Sequence, residues 1–123
     1  MEQGDGLDGL LGPLGAEVMR AVWKHREPMT PRQALDVLND GRTPPLAYTT
    51  VMTVMSRLAE KGILVRRRAR RGYAYDAVAK DAAAIAVHDV MRDFGEQAVA
   101  HFLTEARANP KLRRRLERLL EEK

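Results

Sequence analysis

Apolar residues in the first part of the chain recur with the spacing of an amphipathic helix. Leu14, Val18 and Val22 lie at i, i+4 and i+8, so they share one face of a helix. Pro13 suits the first turn of this helix, where a missing N–H costs nothing, and Pro28 follows its end. The pattern therefore predicts a first helix from residue 13 with one buried face, closed by a core tryptophan at Trp23.

A second helix is predicted directly after Thr30. The Thr30 hydroxyl can cap it, Pro31 suits its first position, and Gln33 completes a capping box. Gly41 can adopt the left-handed conformation that ends a helix. The inward stripe consists of Ala34, Leu35 and Leu38.

A third helix, predicted over residues 48–61, separates apolar from hydroxyl-bearing positions. Its apolar stripe consists of Val51, Val54, Met55 and Leu58. The opposite face carries Thr49, Thr50, Thr53, Ser56 and Arg57. Because threonine and serine lower helix propensity, their presence on an exposed face indicates that this face uses its hydroxyl groups.

A β-hairpin is predicted after the third helix. The short apolar run at residues 63–65 and the strand-like run at residues 73–78 flank a basic turn at Gly72. Three helices followed by a hairpin is the order of a winged helix-turn-helix, in which the hairpin is the wing. The arginines of this hairpin are Arg66, Arg67, Arg68, Arg70 and Arg71.

The remainder of the chain is predicted to be helical. One segment covers residues 80–92, Phe94-Gly95 marks a break, a second covers residues 97–106, and Asn109 caps a third. Three short helices cannot cover all their apolar positions alone, so a second copy of the chain is the simplest cover, which predicts a homodimer. The predicted dimerisation residues are Val99, Phe102, Leu103, Leu112, Leu116, Leu119 and Leu120.

These elements predict a mainly α protein with a small β-hairpin. Residues 1–12 are assigned to a flexible leader, residues 13–78 to a winged-helix domain and residues 79–123 to a helical dimerisation domain. The composition is 45% hydrophobic, which is enough to form a buried core. Because the chain lacks cysteine, disulfides, thiolate zinc sites and a cysteine nucleophile are excluded. The acidic, glycine-rich start does not resemble a secretory signal, and no apolar run is long enough to insert in a membrane. A cytoplasmic protein is expected.

Positive charge is concentrated in the middle of the chain. The net charge is +4, yet residues 42–71 hold eight cations and one acid. Such a localised basic patch is typical of a nucleic-acid-binding protein. The histidines His25, His88 and His101 fall in separate segments, and no phosphate loop, nucleophile motif or metalloprotease motif occurs. We therefore expect neither an enzyme nor a bound metal or cofactor.

The third helix and the hairpin together predict contact with double-stranded DNA. In a helix-turn-helix the second of the paired helices lies in the major groove, while wing arginines contact phosphates or the minor groove. The predicted DNA-binding residues are Thr30, Arg32, Tyr48, Thr49, Thr50, Thr53, Arg57 and the five hairpin arginines. A solvated polar face, a protein-interaction module and nonspecific nucleic-acid binding are the alternatives. A lipid surface ranks below DNA because the basic segment is not an amphipathic helix.

The chain also resembles the penicillinase-repressor (BlaI/MecI/CopY) family of winged-helix regulators, in the form common among actinobacteria. The matching segments in the first part of the chain are Leu14, Glu17, Val18-Met19 and Trp23; Ala47-Tyr48-Thr49-Thr50-Val51-Met52-Thr53, Arg57-Leu58 and Lys61-Gly62; and Arg71-Gly72-Tyr73-Ala74-Tyr75. Those in the last part are Phe94-Gly95, residues 99–103 and the leucine-rich final helix. The segment that matches the recognition helix of the family, at residues 47–62, is the most specific of these.

The resemblance implies a homodimeric repressor that binds inverted repeats, often of the form TACA…TGTA. In some members a membrane-bound sensor protease triggers cleavage of the dimerisation tail between Asn and Phe. The aligned pair here is His101-Phe102, which departs from that pattern. The copper-responsive branch uses cysteines that this chain lacks.

Overall fold

The computed structural model describes residues 5–122, which form six helices and one β-hairpin. The helices are α1 (Leu7–His25), α2 (Pro31–Asn39), α3 (Tyr48–Glu60), α4 (Ala82–Phe94), α5 (Glu96–Ala108) and α6 (Pro110–Glu121). The strands are β1 (Leu64–Ala69) and β2 (Gly72–Ala77). The order confirms the predicted fold class, a winged helix followed by a helical tail.

The chain divides into two compact units, one extending to Ala86 and the other beginning at Val87. The first unit thus continues beyond residue 78, where the sequence analysis ends its DNA-binding domain. The reason is that Ala82 and Ile85, in the first turns of α4, are buried in the core of the first unit. No helix of the described residues combines the length and apolar content needed to cross a membrane.

The apolar stripes that the sequence predicts on the first three helices contribute much of the core of the first unit. Val18 of α1, and Val51 and Met55 of α3, are fully buried there. Each such side chain contributes about 1.5–3 kcal/mol by leaving water. The partly buried Trp23 packs against this core and donates its indole N–H to the carbonyl of Ala79 at 2.9 Å.

Helix α1 begins earlier than the sequence indicates. It starts at Leu7, inside the segment assigned to a flexible leader, and Leu7 is 0% exposed. Gly12 leaves the helical conformation at φ 80°, which glycine adopts without strain, and Pro13 begins the second helical piece. The leader assignment of residues 1–4 lies outside the described residues.

An ion-pair cluster holds the early part of α1. The backbone N–H of Leu7 donates to Asp5 Oδ1 at 3.0 Å, and Arg20 contacts Asp5 and Asp8 at 3.1 and 3.3 Å. The Leu7 N–H, and then the Arg20 guanidinium, lower the pKa of Asp5 below its ordinary value of 3.8. These contacts join the start of α1 to its later turns.

The capping box predicted at α2 is present. The Gln33 N–H donates to the Thr30 hydroxyl at 3.1 Å, and the Thr30 N–H donates to the Gln33 side chain at 2.9 Å. Just before this cap, Met29 and Tyr75 exchange two backbone hydrogen bonds of 2.8 Å. The entry to α2 is therefore bonded directly to strand β2.

In the second unit, α5 and α6 pack on each other and Ala106 is buried. Gly95 separates α4 from α5 at the predicted break, with φ 53°. Asn109 caps α6 by accepting hydrogen bonds from the N–H groups of Lys111 and Leu112. Pro110 occupies the first position of that helix, where its missing N–H costs nothing.

Candidate nucleic-acid interface

Helix α3 presents the face that the sequence analysis assigns to DNA. Val51, Met55 and Leu58 are buried, while the opposite side chains are exposed. The exposed candidates are Tyr48, Thr49, Thr50, Thr53 and Arg57. Because its other side is fixed in the core, α3 can present these donors and acceptors to a partner without rearranging.

The two faces of the hairpin differ in chemistry. The register pairs Arg66 with Tyr75 and Arg68 with Tyr73, so these four side chains share one face. Arg67 lies on the other face, where its Nε is 3.4 Å from Asp76 Oδ2. The structure thus separates Arg67 from Arg66 and Arg68, although the sequence analysis treats them as one cluster.

A groove of about 530 Å³ lies between the start of α2, the exposed side of α3 and the hairpin. Its lining includes five of the predicted DNA-binding residues, Thr30, Arg32, Tyr48, Arg66 and Arg71. The other lining residues are Pro31, Met52, Ser56, Gly72, Tyr73 and Tyr75, none of which is acidic. A groove lined by arginines, tyrosines and hydroxyl groups suits a phosphodiester backbone.

Two arginines of this groove lie over tyrosine rings. The Arg32 guanidinium carbon is 5.2 Å from the Tyr48 ring centroid, and that of Arg66 is 4.6 Å from the Tyr73 centroid. Cation–π contact of this kind restricts the long arginine side chains. Both guanidinium groups therefore lie beside a tyrosine ring that also lines the groove.

The remaining hairpin arginines lie at or near its tip. Arg70 and Arg71 form the two-residue turn between Ala69 and Gly72, which are paired across the strands. Their side chains and that of Arg68 are exposed. The predicted DNA-binding residues occupy a wider surface than the groove alone, because seven of them do not line it: Thr49, Thr50, Thr53, Arg57, Arg67, Arg68 and Arg70.

The tail exposes the apolar residues that the sequence analysis assigns to dimerisation. Leu116 is partly buried, and the other six are exposed, with Phe102 at 57% and Leu120 at 76%. Helix α4 adds a further exposed set that the sequence analysis missed: Val87, Val90, Met91 and Phe94. Their spacing of i, i+3, i+4 and i+7 is the signal that would have revealed them. Apolar stripes of this kind mark protein contact surfaces.

The His101-Phe102 bond lies within α5, and both side chains are exposed. Its carbonyl and amide groups therefore belong to a helical segment, which a protease would have to unwind before cleavage. Among residues 5–122, no group of three or more histidine, aspartate or glutamate side chains is arranged to hold a metal ion.

Two groove residues on α3 are absent from the predicted DNA-binding residues, although Ser56 was placed on the exposed hydroxyl-bearing face of this helix. Met52 and Ser56 follow Tyr48 at i+4 and i+8, so all three lie on one side of the helix. The Ser56 hydroxyl is 3.4 Å from the Tyr75 hydroxyl, which connects α3 with the hairpin. The same i+4 spacing in the sequence would have identified both residues.

The fold, with its exposed α3 face and adjoining basic hairpin, defines a winged helix-turn-helix protein. Residues 11–122 match the family model described as Penicillinase repressor, and the chain belongs to that family. Two relatives from Mycobacterium tuberculosis strains, CDC 1551 / Oshkosh and H37Rv, each described as "Transcriptional regulator BlaI", are 44% identical to it over 68 residues. The match covers 55% of this chain and spans about half, 48%, of the length of those relatives.

Proposed function

We propose that the chain is a homodimeric transcriptional repressor that binds an inverted-repeat promoter operator. The observation that carries this proposal is one continuous surface of α3, the groove and the hairpin. On it, the exposed Thr49, Thr53 and Arg57 offer base-edge chemistry, while Arg66 and Arg71 offer phosphate chemistry. The family and its relatives carry the names of transcription regulators, not of enzymes.

In this proposal α3 enters the major groove and the hairpin acts as a basic wing. Threonine can contact a base edge or pack its methyl group on thymine, and Arg57 can contact guanine or phosphate. Residues 13–78, extended to Ala86 by the core contacts of α4, form the DNA-binding part. Arg67 has the smallest role of the hairpin arginines because Asp76 already pairs with it.

In this proposal the helical tail forms the contact between the two chains of the dimer. The exposed stripes of α5 and α6, together with Val87, Val90, Met91 and Phe94, offer apolar surface that a second copy would cover. Two-fold symmetry of the dimer would be mirrored in the operator, and two recognition helices would occupy successive major grooves. Repression is then steric, because the bound dimer blocks RNA polymerase.

Inactivation by a membrane sensor protease stays a prediction from the family resemblance. His101 replaces the asparagine of the family's cleavage pair. The same resemblance, together with a role on chromosomal DNA, leads us to place the protein in the cytoplasm.

Selection of bound duplexes from a library with a randomised centre tests the proposal. The purified full chain is mixed with the library, and bound DNA is recovered and sequenced over several rounds. Enrichment of an inverted repeat, with two chains per duplex, is the expected result. Retention of DNA without any enriched sequence, with a steep salt dependence, would indicate nonspecific binding. No retention would favour a protein-interaction module.

A further inference from the structure

The connection between α2 and α3 is long for a helix-turn-helix. Residues 40–47 separate Asn39, the last residue of α2, from Tyr48, the first of α3. Helix-turn-helix motifs commonly use three or four residues here. A longer connection that includes Gly41, Pro44 and Pro45 needs a separate restraint if α3 is to start at a defined place.

The side-chain amide of Asn39 supplies such a restraint. Its Oδ1 accepts a hydrogen bond from the Leu46 N–H at 2.7 Å, and its Nδ2 donates to the Leu46 carbonyl at 3.1 Å. One side chain thus satisfies both backbone groups of a residue that lies two positions before α3. The arrangement closes the connection into a loop whose two ends are joined.

Arg42 fixes the middle of the same loop. Its Nε donates to the Leu38 carbonyl at 3.2 Å, and its guanidinium forms an ion pair with Glu17 of α1. Although Arg42 belongs to the basic segment of the sequence, its charge is therefore directed towards the protein. The contacts of Asn39 and Arg42 thus attach the loop to α2 and α1, the helices that form the core together with α3.

The start of α3 has no cap of its own. Ala47 occupies the N-cap position, and its methyl side chain cannot accept a hydrogen bond. Tyr48, Thr49 and Thr50 form the first turn, and the first turn of a recognition helix is the part that reaches base edges. The position of these three residues consequently depends on the residues just before them.

From this arrangement we infer that Asn39 is a positioning residue for sequence readout. It holds Leu46, and through Leu46 and Ala47 it sets the place of the first turn of α3, without itself contacting DNA. The inference rests on the proposed function. It assigns part of the specificity of the protein to a side chain at the end of α2 that is not among the predicted DNA-binding residues.

The test compares Asn39→Ala and Asn39→Asp with the unchanged full chain. Dissociation constants are measured for the duplex most enriched in the selection and for a shuffled duplex of the same composition. The temperature is one at which circular dichroism shows every variant fully folded. We expect Asn39→Ala to weaken binding of the enriched duplex by about tenfold, the loss of one base contact, and that of the shuffled duplex by less than about twofold.

Two further variants separate positioning from stability. Asn39→Asp keeps the acceptor for the Leu46 N–H but loses the donor to the Leu46 carbonyl. The ratio of its affinity for the enriched duplex to its affinity for the shuffled duplex should therefore lie between the ratios of Asn39→Ala and the unchanged chain. Trp23→Phe is the matched control, since it also removes one hydrogen bond from a side chain to a backbone carbonyl in the first unit. It should lower the melting temperature and leave the ratio unchanged.

The outcomes are distinguishable. An unchanged ratio in a folded Asn39→Ala variant overturns the inference and leaves the proposed function intact. An equal loss on both duplexes, or a lowered ratio in Trp23→Phe, also overturns it, because the effect would then not be specific to sequence readout through Asn39. If Asn39→Ala does not fold, Asn39→Asp decides by the same ratio. If the unchanged chain enriches no duplex, the proposed function fails, and the inference fails with it.

Discussion

Arg67 and Asp76 form an ion pair across the hairpin, with 3.4 Å between Nε and Oδ2, on the face turned away from Arg66 and Arg68. The side chains of Arg67 and Asp76 are 58% and 40% exposed, so water screens the pair and it adds little stability, about 0–1 kcal/mol. Its consequence is electrostatic. Of three consecutive arginines, the middle one has its charge offset by an acid, while its neighbours share a face with Tyr73 and Tyr75.

The hairpin arginines should therefore differ in their effect on DNA binding. Arg68→Ala should weaken binding to all duplexes similarly and reduce the slope of log K against log salt by about one. Arg67→Ala is the matched control, and its slope should change less. Fluorescence anisotropy over a salt series measures both slopes. Equal slopes for the two variants would contradict this account, and a change in sequence preference in Arg68→Ala would contradict the wing assignment.

The exposed face of α3 should carry sequence preference. Thr53→Ala or Arg57→Ala should reduce the difference in binding free energy between the enriched and shuffled duplexes by about 1–3 kcal/mol if the lost contact is to a base edge. Lys24→Ala, which removes an exposed cation of α1, is the control for Arg57→Ala. Competition assays with single-base variants of the enriched duplex identify the position read. A uniform loss over all duplexes would assign the residue to phosphate contact.

The apolar stripe of α5 should determine the oligomeric state. Phe102→Asp places a charge on this stripe and should convert a dimer into a monomer with much weaker operator binding. Thr104→Asp, about half a turn away on the polar side of the same helix, adds the same charge and should remain dimeric. Analytical ultracentrifugation distinguishes the two. A dimeric Phe102→Asp variant would show that the tail contact lies elsewhere.

The early start of α1 should matter for stability. Leu7→Ala removes a fully buried side chain and should lower the free energy of unfolding by about 2–5 kcal/mol. Leu10→Ala, at a partly buried position of the same helical piece, should cost less. Urea unfolding followed by circular dichroism gives both values. A negligible effect of Leu7→Ala would indicate that residues 7–11 do not pack on the core in solution.

The lowered pKa of Asp5 predicts a small dependence of stability on acid pH. A carboxyl group whose pKa falls on folding stabilises the folded state at pH values above its ordinary pKa, which is 3.8 for Asp5. This contribution is lost as the pH falls through the lowered pKa of the folded state. Asp5→Asn keeps an acceptor for the Leu7 N–H but removes the charge that faces Arg20. The difference in melting temperature between the two proteins should be present at pH 7 and vanish in strong acid. A difference that is independent of pH would exclude this cause.

The sequence predicts those elements whose signals are local. The Thr30–Gln33 capping box and the Asn109 cap depend on residues at most three positions apart, and both are present. The buried stripe of α3 likewise depends only on helical spacing. For these features the residues themselves dictate the structure.

Features that join distant residues were not predicted. The Asn39 amide meets Leu46 across an irregular loop, and Arg42 meets Glu17 on another helix, so neither contact leaves a periodic pattern. The early start of α1 was missed because its glycines resemble a linker, whereas the buried Leu7 decides the conformation. The separation of Arg67 from its neighbours required the strand register, which composition alone does not provide.

The paired backbone groups of Met29 and Tyr75 divide the hairpin into a base and a tip. The base, at Tyr75, is hydrogen-bonded to the entry of α2 and cannot shift without disturbing that helix. The tip, from Arg68 to Tyr73, is held by the ladder between its own strands and by the contact of the Tyr73 ring with Arg66. A tip of different length or charge could thus be grafted onto this base, which makes the tip of the hairpin an exchangeable part on an unchanged scaffold.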